Sequence, residues 1–301
     1  MKNYISFLTL FLFVFSYAQK ETYHIKNIKL NDEKSHYGVS YFKDGKVFFT
    51  SFLLDDKNKI RLTKEKIPVF SLFSGDMDAE GEISNVEPFK SSEIYEFNCS
   101  SASFSPDKKY IYITTNYVNK GDDYKKNNKI RNLRLERGEY VPGRGWVNFK
   151  TLPFCDDGYS YGHPAVSPDG AYLYFTANIP EARGPTDVFR VRILGGNEYS
   201  EIENIGREIN SNRKDMFPFV SKDNILYFSS DRAGGYKGLD VYYCQILEDG
   251  TFSKPKLMPK PINSAEDDFG FMLLDDEKSG YFSSTRYGGQ GEDDIYYFTK
   301  D

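Results

Sequence analysis

The chain is poor in cysteine, tryptophan and histidine, and it carries few helix signatures. Its three cysteines, Cys99, Cys155 and Cys244, are too few and too unevenly placed for a disulfide framework. Cys99 and Cys244 lie in strand-like runs and read as buried thiols. The three histidines, His24, His36 and His163, are not spaced as ligands on one element, so neither a metal nor a cofactor is expected. Charge of one sign is also missing. The 39 Lys and Arg are interspersed with 44 Asp and Glu, a net charge of -5. A dedicated nucleic-acid surface needs net basic character, so that partner class is not expected. Only one long apolar run occurs, at residues 5–15. It is shorter than the ~18–20 residues that cross a bilayer. It follows Lys2 and leads into Ser16 and Ala18, small residues that suit a signal peptidase. Residues 1–18 are therefore expected to be a cleaved secretory signal, and 19–301 a single exported domain with no membrane span of its own. No cysteine adjoins the cleavage point, so no lipid anchor is expected there.

What the chain does have is Tyr and Phe, which favour strands, and a repeat. Five segments share a turn, an aromatic run and a closing Thr or Ser. They are FKDGKVFFTS (42–51), FSPDKKYIYITT (104–115), VSPDGAYLYFTA (166–177), VSKDNILYFSS (220–230) and LLDDEKSGYFSS (273–284). The closing residues Thr50, Thr114, Thr176, Ser229 and Ser283 recur at intervals that chance does not give. In the turn, Pro106 and Pro168 preset φ, while Asp107 and Asp169 suit the position that follows. The next strand alternates, Leu173 and Phe175 to one side and Tyr172 and Tyr174 to the other. A third strand opens with Asp187, Asp240 or Asp294, each expected to accept backbone N–H bonds from the Gly-rich loop before it. At that position the first copy is read with Pro68 and the second with Lys129. A fourth strand follows in each unit except the last, while the segment YHIKNIKL at 23–30 reads as a fourth strand with no first three. The expected fold is all-β. It is a five-bladed β-propeller of four-stranded antiparallel blades, its ring closed by the N-terminal strand completing the last blade.

The segments SPDGAYLYFTAN, SSDRAGGYKGLDVYY and STRYGGQGEDDIYY resemble the Pro-Asp propeller repeat related to TolB. The match spans nearly all of the exported part, and Lys43 replaces the proline in the first copy. The resemblance implies a setting in the bacterial envelope, beside outer-membrane barrels, peptidoglycan-binding domains and the type nine secretion machinery.

Several motifs compete with that setting. GYSYG at 158–162, followed by His163, fits the G-x-S-x-G elbow of serine hydrolases. It runs into a first strand rather than a helix, and no later histidine could complete a triad. It is therefore read as an inter-blade loop. The loops at 232–238 and 286–291 are Gly-rich but open onto strands, so no phosphate cradle is expected. Candidate partner-binding residues are Arg131, Arg134 and Trp146, on or near the long insertions, with Arg232 and Arg286 at one recurring position. Trp146 could equally pack in the fourth strand of its blade. The leading expectation is a non-catalytic periplasmic ring. It would act as adaptor, cap or plug for an outer-membrane or periplasmic protein complex, a barrel or secretion subunits. The alternative is a carbohydrate- or peptide-binding or hydrolysing propeller with a channel-mouth site, testable by whether His36, His163, Asp215 and Asp268 converge on one cavity.

Overall fold

The second strand of every repeat is apolar on both faces, and such a strand needs cover on both. In a computed structural model that describes residues 22–62, 66–89, 99–116 and 132–301, the cover comes from neighbouring sheets. No helix occurs among these residues. The N-terminal strand is β1 (Tyr23–Asn27). Blade one follows as β2 (His36–Lys43), β3 (Lys46–Phe52), β4 (Phe70–Met77) and β5 (Ile83–Pro88). Blade two is β6 (Cys99–Phe104), β7 (Tyr110–Thr115), β8 (Arg134–Val141) and β9 (Gly145–Thr151). Blade three is β10 (Tyr161–Val166), β11 (Tyr172–Ala177) and β12 (Asp187–Gly195), its outer position shared by β13 (Glu198–Tyr199) and β14 (Glu203–Asn204). Blade four is β15 (Asp215–Val220), β16 (Ile225–Ser230), β17 (Asp240–Gln245) and β18 (Lys256–Leu257). Blade five holds β19 (Asp268–Leu273), β20 (Ser279–Ser284) and β21 (Asp294–Lys300). Its fourth strand is β1, paired antiparallel with β21 from Tyr23↔Lys300 to Asn27↔Tyr296. The chain is a five-bladed β-propeller closed by its N-terminal strand.

Five apolar clusters fill the five blade interfaces. Leu173 and Phe175 pack toward blade two, and Tyr174 on the same strand packs toward blade four. Full burial of each such side chain contributes about 1.5–3 kcal/mol. Trp146 belongs to this core. It is 5% exposed and sits among Phe42, Phe104 and Tyr140, with ring centroids 5.5, 5.7 and 5.1 Å away.

The recurring Thr or Ser ties one blade to the next. Ser101 N donates to Thr50 Oγ1 (3.1 Å), His163 N to Thr114 Oγ1 (2.9 Å) and Gly38 N to Ser283 Oγ (3.1 Å). Each donor is the third residue of an innermost strand, at a β-bulge. All five inner strands carry a left-handed residue there: Gly38, Ser101, His163, Phe217 and Gly270, with φ between 45° and 67°. A bulge takes one residue out of its own ladder and frees its N–H for another partner. In three blades that partner is the buried hydroxyl of the preceding blade.

Two readings of position shift. The residue aligned with Asp187, Asp240 and Asp294 is Ser71 in blade one and Arg134 in blade two, by the register of the second and third strands. Pro68 lies outside β4, and Lys129 lies outside the described residues. Insertions of unequal length between the second and third strands displaced the alignment.

Candidate functional site

The five inner strands surround a cavity of about 380 Å³ on the propeller axis. Tyr41, Phe104, Phe217, Phe219 and Phe271 line its wall with Pro164 and Pro218. At one end the bulge residues converge. His163 stacks on Phe217 at 3.7 Å between ring centroids, Phe217 meets Phe269 at 4.9 Å, and Phe269 meets Tyr37 at 6.0 Å. Burial pushes His163 down to about 3, so it stays a neutral ring within this aromatic floor. The other end of the cavity is bounded by the turns between first and second strands.

Those turns explain the chemistry of the mouth. In blades two and three the turn is Ser-Pro-Asp. Asp107 Oδ1 accepts from Ser105 Oγ (2.7 Å) and Lys109 N (3.1 Å), and Asp169 Oδ1 from Ser167 Oγ (2.5 Å) and Ala171 N (2.9 Å). Pro106 and Pro168 face the cavity. Blade four has Lys222 in the proline position, and blade five has Asp275. The following left-handed position is Gly170 in blade three and Asn224 in blade four, residues suited to it, but Lys108 in blade two (φ 59°) and Glu277 in blade five (φ 54°). An ordinary side chain there costs about 1 kcal/mol. Four departures from the turn pattern in blades two, four and five, Lys108, Lys222, Asp275 and Glu277, therefore meet at one cavity mouth, whereas Lys43 of blade one lies over the Phe42 and Tyr140 rings and does not line it. Lys222 Nζ pairs with Asp275 Oδ1 at 2.7 Å, and Lys222 N donates to Glu277 Oε1 at 3.0 Å.

The other expected site residues go elsewhere. Arg232 and Arg286, expected to face a partner, are partly buried and turned inward to bind carboxylates of their own blades. Arg232 Nη2 pairs with Asp215 Oδ1 at 2.5 Å, and its guanidinium lies between Phe228 and Tyr242, 4.9 and 5.0 Å from the centroids. Arg286 Nη2 holds Asp268 Oδ1 at 2.6 Å and donates to the Ile262 carbonyl, Nη1 donates to the Pro261 carbonyl, and the guanidinium lies between Phe282 and Tyr296. Asp215 and Asp268 are fully buried in these pairs and do not face the cavity. His36 bonds Asp32 at 2.9 Å, so of the four residues proposed to converge only His163 lines the cavity. Arg134 pairs with Glu136 at 3.2 Å, and Trp146 is in the core. Arg131 lies outside the described residues, as does the N-terminal segment 1–21. In GYSYG, Ser160 Oγ donates to Asn132 Oδ1 (3.3 Å) and accepts from Leu133 N (3.2 Å), a loop contact between strands. Among the described residues no group of three or more His, Cys, Asp or Glu could hold a metal ion. No helix among them is long and apolar enough to cross a membrane.

The aspartates that open the third strands organise the Gly-rich loops. Asp187 accepts from Arg183 N and Gly184 N, Asp294 from Gln290 N and Gly291 N, and Asp240 from Tyr236 N and Lys237 N. Asp187 and Asp294 also receive an amide, from Asn204 and Asn27. Among the described residues Asp240 receives no such amide, and its buried Oδ1 has no hydrogen-bond partner. Burial pushes Asp240 up to about 6, although the Tyr236 and Lys237 N–H groups oppose the shift. The folded chain therefore holds a proton that the unfolded chain releases between about pH 4 and 6, and this group's contribution to stability falls as pH rises through that window. Asp240→Asn supplies a donor beside the unpartnered Tyr242 hydroxyl. It is expected to stabilise the fold by roughly 1–3 kcal/mol at pH 7 and by little near pH 4. Urea unfolding at both pH values checks this, and an equal effect at the two would refute it.

No protein-family model matches the chain, and no curated protein matches it. Solved structures do. A family 117 glycoside hydrolase of Zobellia galactanivorans superposes with a TM-score of 0.54 at 12% identity, over 93% of this chain and 90% of that one. A β-1,2-mannobiose phosphorylase of Listeria innocua gives 0.53 at 9% identity, over 92% and 90%. A thermostable family-43 glycoside hydrolase gives 0.52 at 12% identity, over 89% of both chains. At these identities the likeness is one of fold. It nonetheless corrects the expectation of a non-catalytic adaptor, cap or plug. Whole-chain propellers of this shape include enzymes of carbohydrate, so the ring gives no ground for denying catalysis.

Proposed function

We propose that this chain is a carbohydrate-processing propeller whose saccharide enters the axial cavity from the turn side. One observation carries the reading: the charged departures from the turn repeat in blades two, four and five gather over an aromatic-walled cavity. Small-ligand sites combine an apolar wall with a few placed polar groups. Aromatic faces suit the C–H faces of sugar rings, and the Lys and carboxylate groups of the mouth suit their hydroxyls. Asp275 and Glu277 supply the two carboxyl groups that most glycosidases use. The likeness in fold to the glycoside hydrolases and the phosphorylase named above supports this reading. The test is release of reducing ends or sugar phosphates from a panel of disaccharides and polysaccharides, with and without inorganic phosphate. The same panel is then run on Phe217→Ala, which opens the aromatic floor. Turnover by the wild type and at least about a tenfold loss of saccharide affinity in the variant are expected. A chain that neither binds nor cleaves any of the panel would sink the proposal.

A further inference from the structure

Lys108 stands apart from the other mouth residues. It is half-buried, and its ammonium lies 5.8 Å from the Phe104 ring centroid on the cavity wall. Its backbone N–H donates to the Ser105 carbonyl at 2.8 Å, but its ammonium makes no hydrogen bond or ion pair among the described residues. The neighbouring carboxylates are engaged: Asp107 by Ser105 and Lys109, Asp275 by Lys222, and Glu277 by the Lys222 N–H. A cation partly withdrawn from water with no carboxylate bonded to it is costly. Burial accordingly pushes Lys108 below the usual lysine range, with Asp275 opposing the shift and Lys222 adding to it. The backbone beneath it is left-handed, where blade three has Gly170 and blade four Asn224. The turn thus bears a conformational cost and a desolvation cost together, and both fall on one ammonium at the edge of the cavity.

We propose that Lys108 is the receptor for an oxyanion carried by the bound saccharide, so that the substrate class is an acidic sugar such as a uronide. This deepens the saccharide reading and rests on it. The anionic substituent would complete the ion pair that the protein leaves open, while the ring lies against the aromatic wall below. A charge-assisted hydrogen bond of this kind is worth about 10- to 100-fold in affinity.

The experiment is a ligand-observed NMR titration of the full chain with matched pairs, glucuronate against glucose, galacturonate against galactose and mannuronate against mannose, with inorganic phosphate as a separate arm. Lys108→Asn places there the residue that blade four already carries, so its backbone is accommodated, and Lys108→Arg keeps the charge. The expected result is at least about a tenfold preference for one acidic sugar over its neutral partner, lost in Lys108→Asn and largely kept in Lys108→Arg. Equal affinity for acidic and neutral sugars, with no phosphate bound, would overturn the anion receptor and leave the saccharide site standing. Phosphate binding that depends on Lys108, with sugars bound regardless of charge, would keep the receptor but assign it to a separate inorganic oxyanion. Phosphate binding with no sugar bound would overturn the saccharide reading instead. Binding of neither class would overturn both.

Discussion

Arg286→Met is expected to cost about 3–5 kcal/mol of stability, the usual price of leaving a buried charge unpaired. Asp268 has no solvent exposure, and Arg286 side-chain exposure is 11%. Burial pushes Asp268 up despite Arg286 beside it, so desolvation outweighs pairing even in the intact protein. The pair is therefore not a net source of stability so much as an arrangement that cannot be half removed. Without the guanidinium, Asp268 keeps only Ser284 Oγ (2.6 Å) and Ser264 N as donors, and the carbonyls of Pro261 and Ile262 lose theirs. The carboxyl group then ionises at a higher pH than in the wild type. The stability deficit of the variant is fully present above that pH and shrinks as acid protonates the group. Adding Asp268→Asn should recover part of the loss, because a neutral amide needs no counter-charge. Arg232→Met should lose stability at pH 7 in the same way, since Asp215 holds the same place one blade earlier. Chemical denaturation at pH 7 and pH 4.5 measures all of this. A change within about 0.5 kcal/mol would place Arg286 among ordinary surface residues.

That pair also shows where sequence reasoning succeeds and where it fails. The spacing of Thr50, Thr114, Thr176, Ser229 and Ser283 gave the blade count, because each closes the buried second strand of its blade, and in three of the five its hydroxyl also links to the next blade. The closing strand was legible because blade five lacks a fourth strand and residues 23–30 supply one. Arg232 and Arg286 recur for the same kind of reason. An arginine at one position in two repeats, with Asp215 and Asp268 at another, is the mark of a structural pair made twice. Read singly, each arginine looks like a hot spot. The sequence offers a channel-mouth site as the alternative, but of its four candidate residues only His163 lines the cavity, and the mouth residues were missed from the opposite direction. FSPDKK, VSKDN and LLDDEK read as weakened copies of Ser-Pro-Asp-Gly, whereas the ring places their odd residues at one mouth. In a repeat protein, residues that recur hold the scaffold, and residues that break the pattern are free to carry chemistry. Which breaks share a face depends on how the turns are arranged around the axis, and no single repeat contains that information.

Glu277→Gln is expected to lower saccharide turnover about 10²- to 10⁴-fold while leaving saccharide binding largely intact, the range for loss of a positioned general acid or base. Three acids stand in a row at this turn, and the structure gives them different duties. Asp276 Oδ1 accepts from Lys278 N and Ser279 N, both at 2.9 Å, as Asp107 and Asp169 do in their own turns. Asp275 and Glu277 both line the cavity and share Lys222, which pairs with one through its ammonium and bonds the other through its backbone N–H. Both face the mouth, so one can serve as acid and the other as base or nucleophile. Asp275→Asn should therefore lose turnover as well. Asp276→Asn should weaken the turn and lower the unfolding midpoint with turnover retained in the folded fraction. Turnover at saturating substrate, read beside affinity for the same sugar, separates the three. Full turnover in Glu277→Gln, with binding still lost in Phe217→Ala, would show that the cavity holds saccharide without these carboxyl groups acting on it.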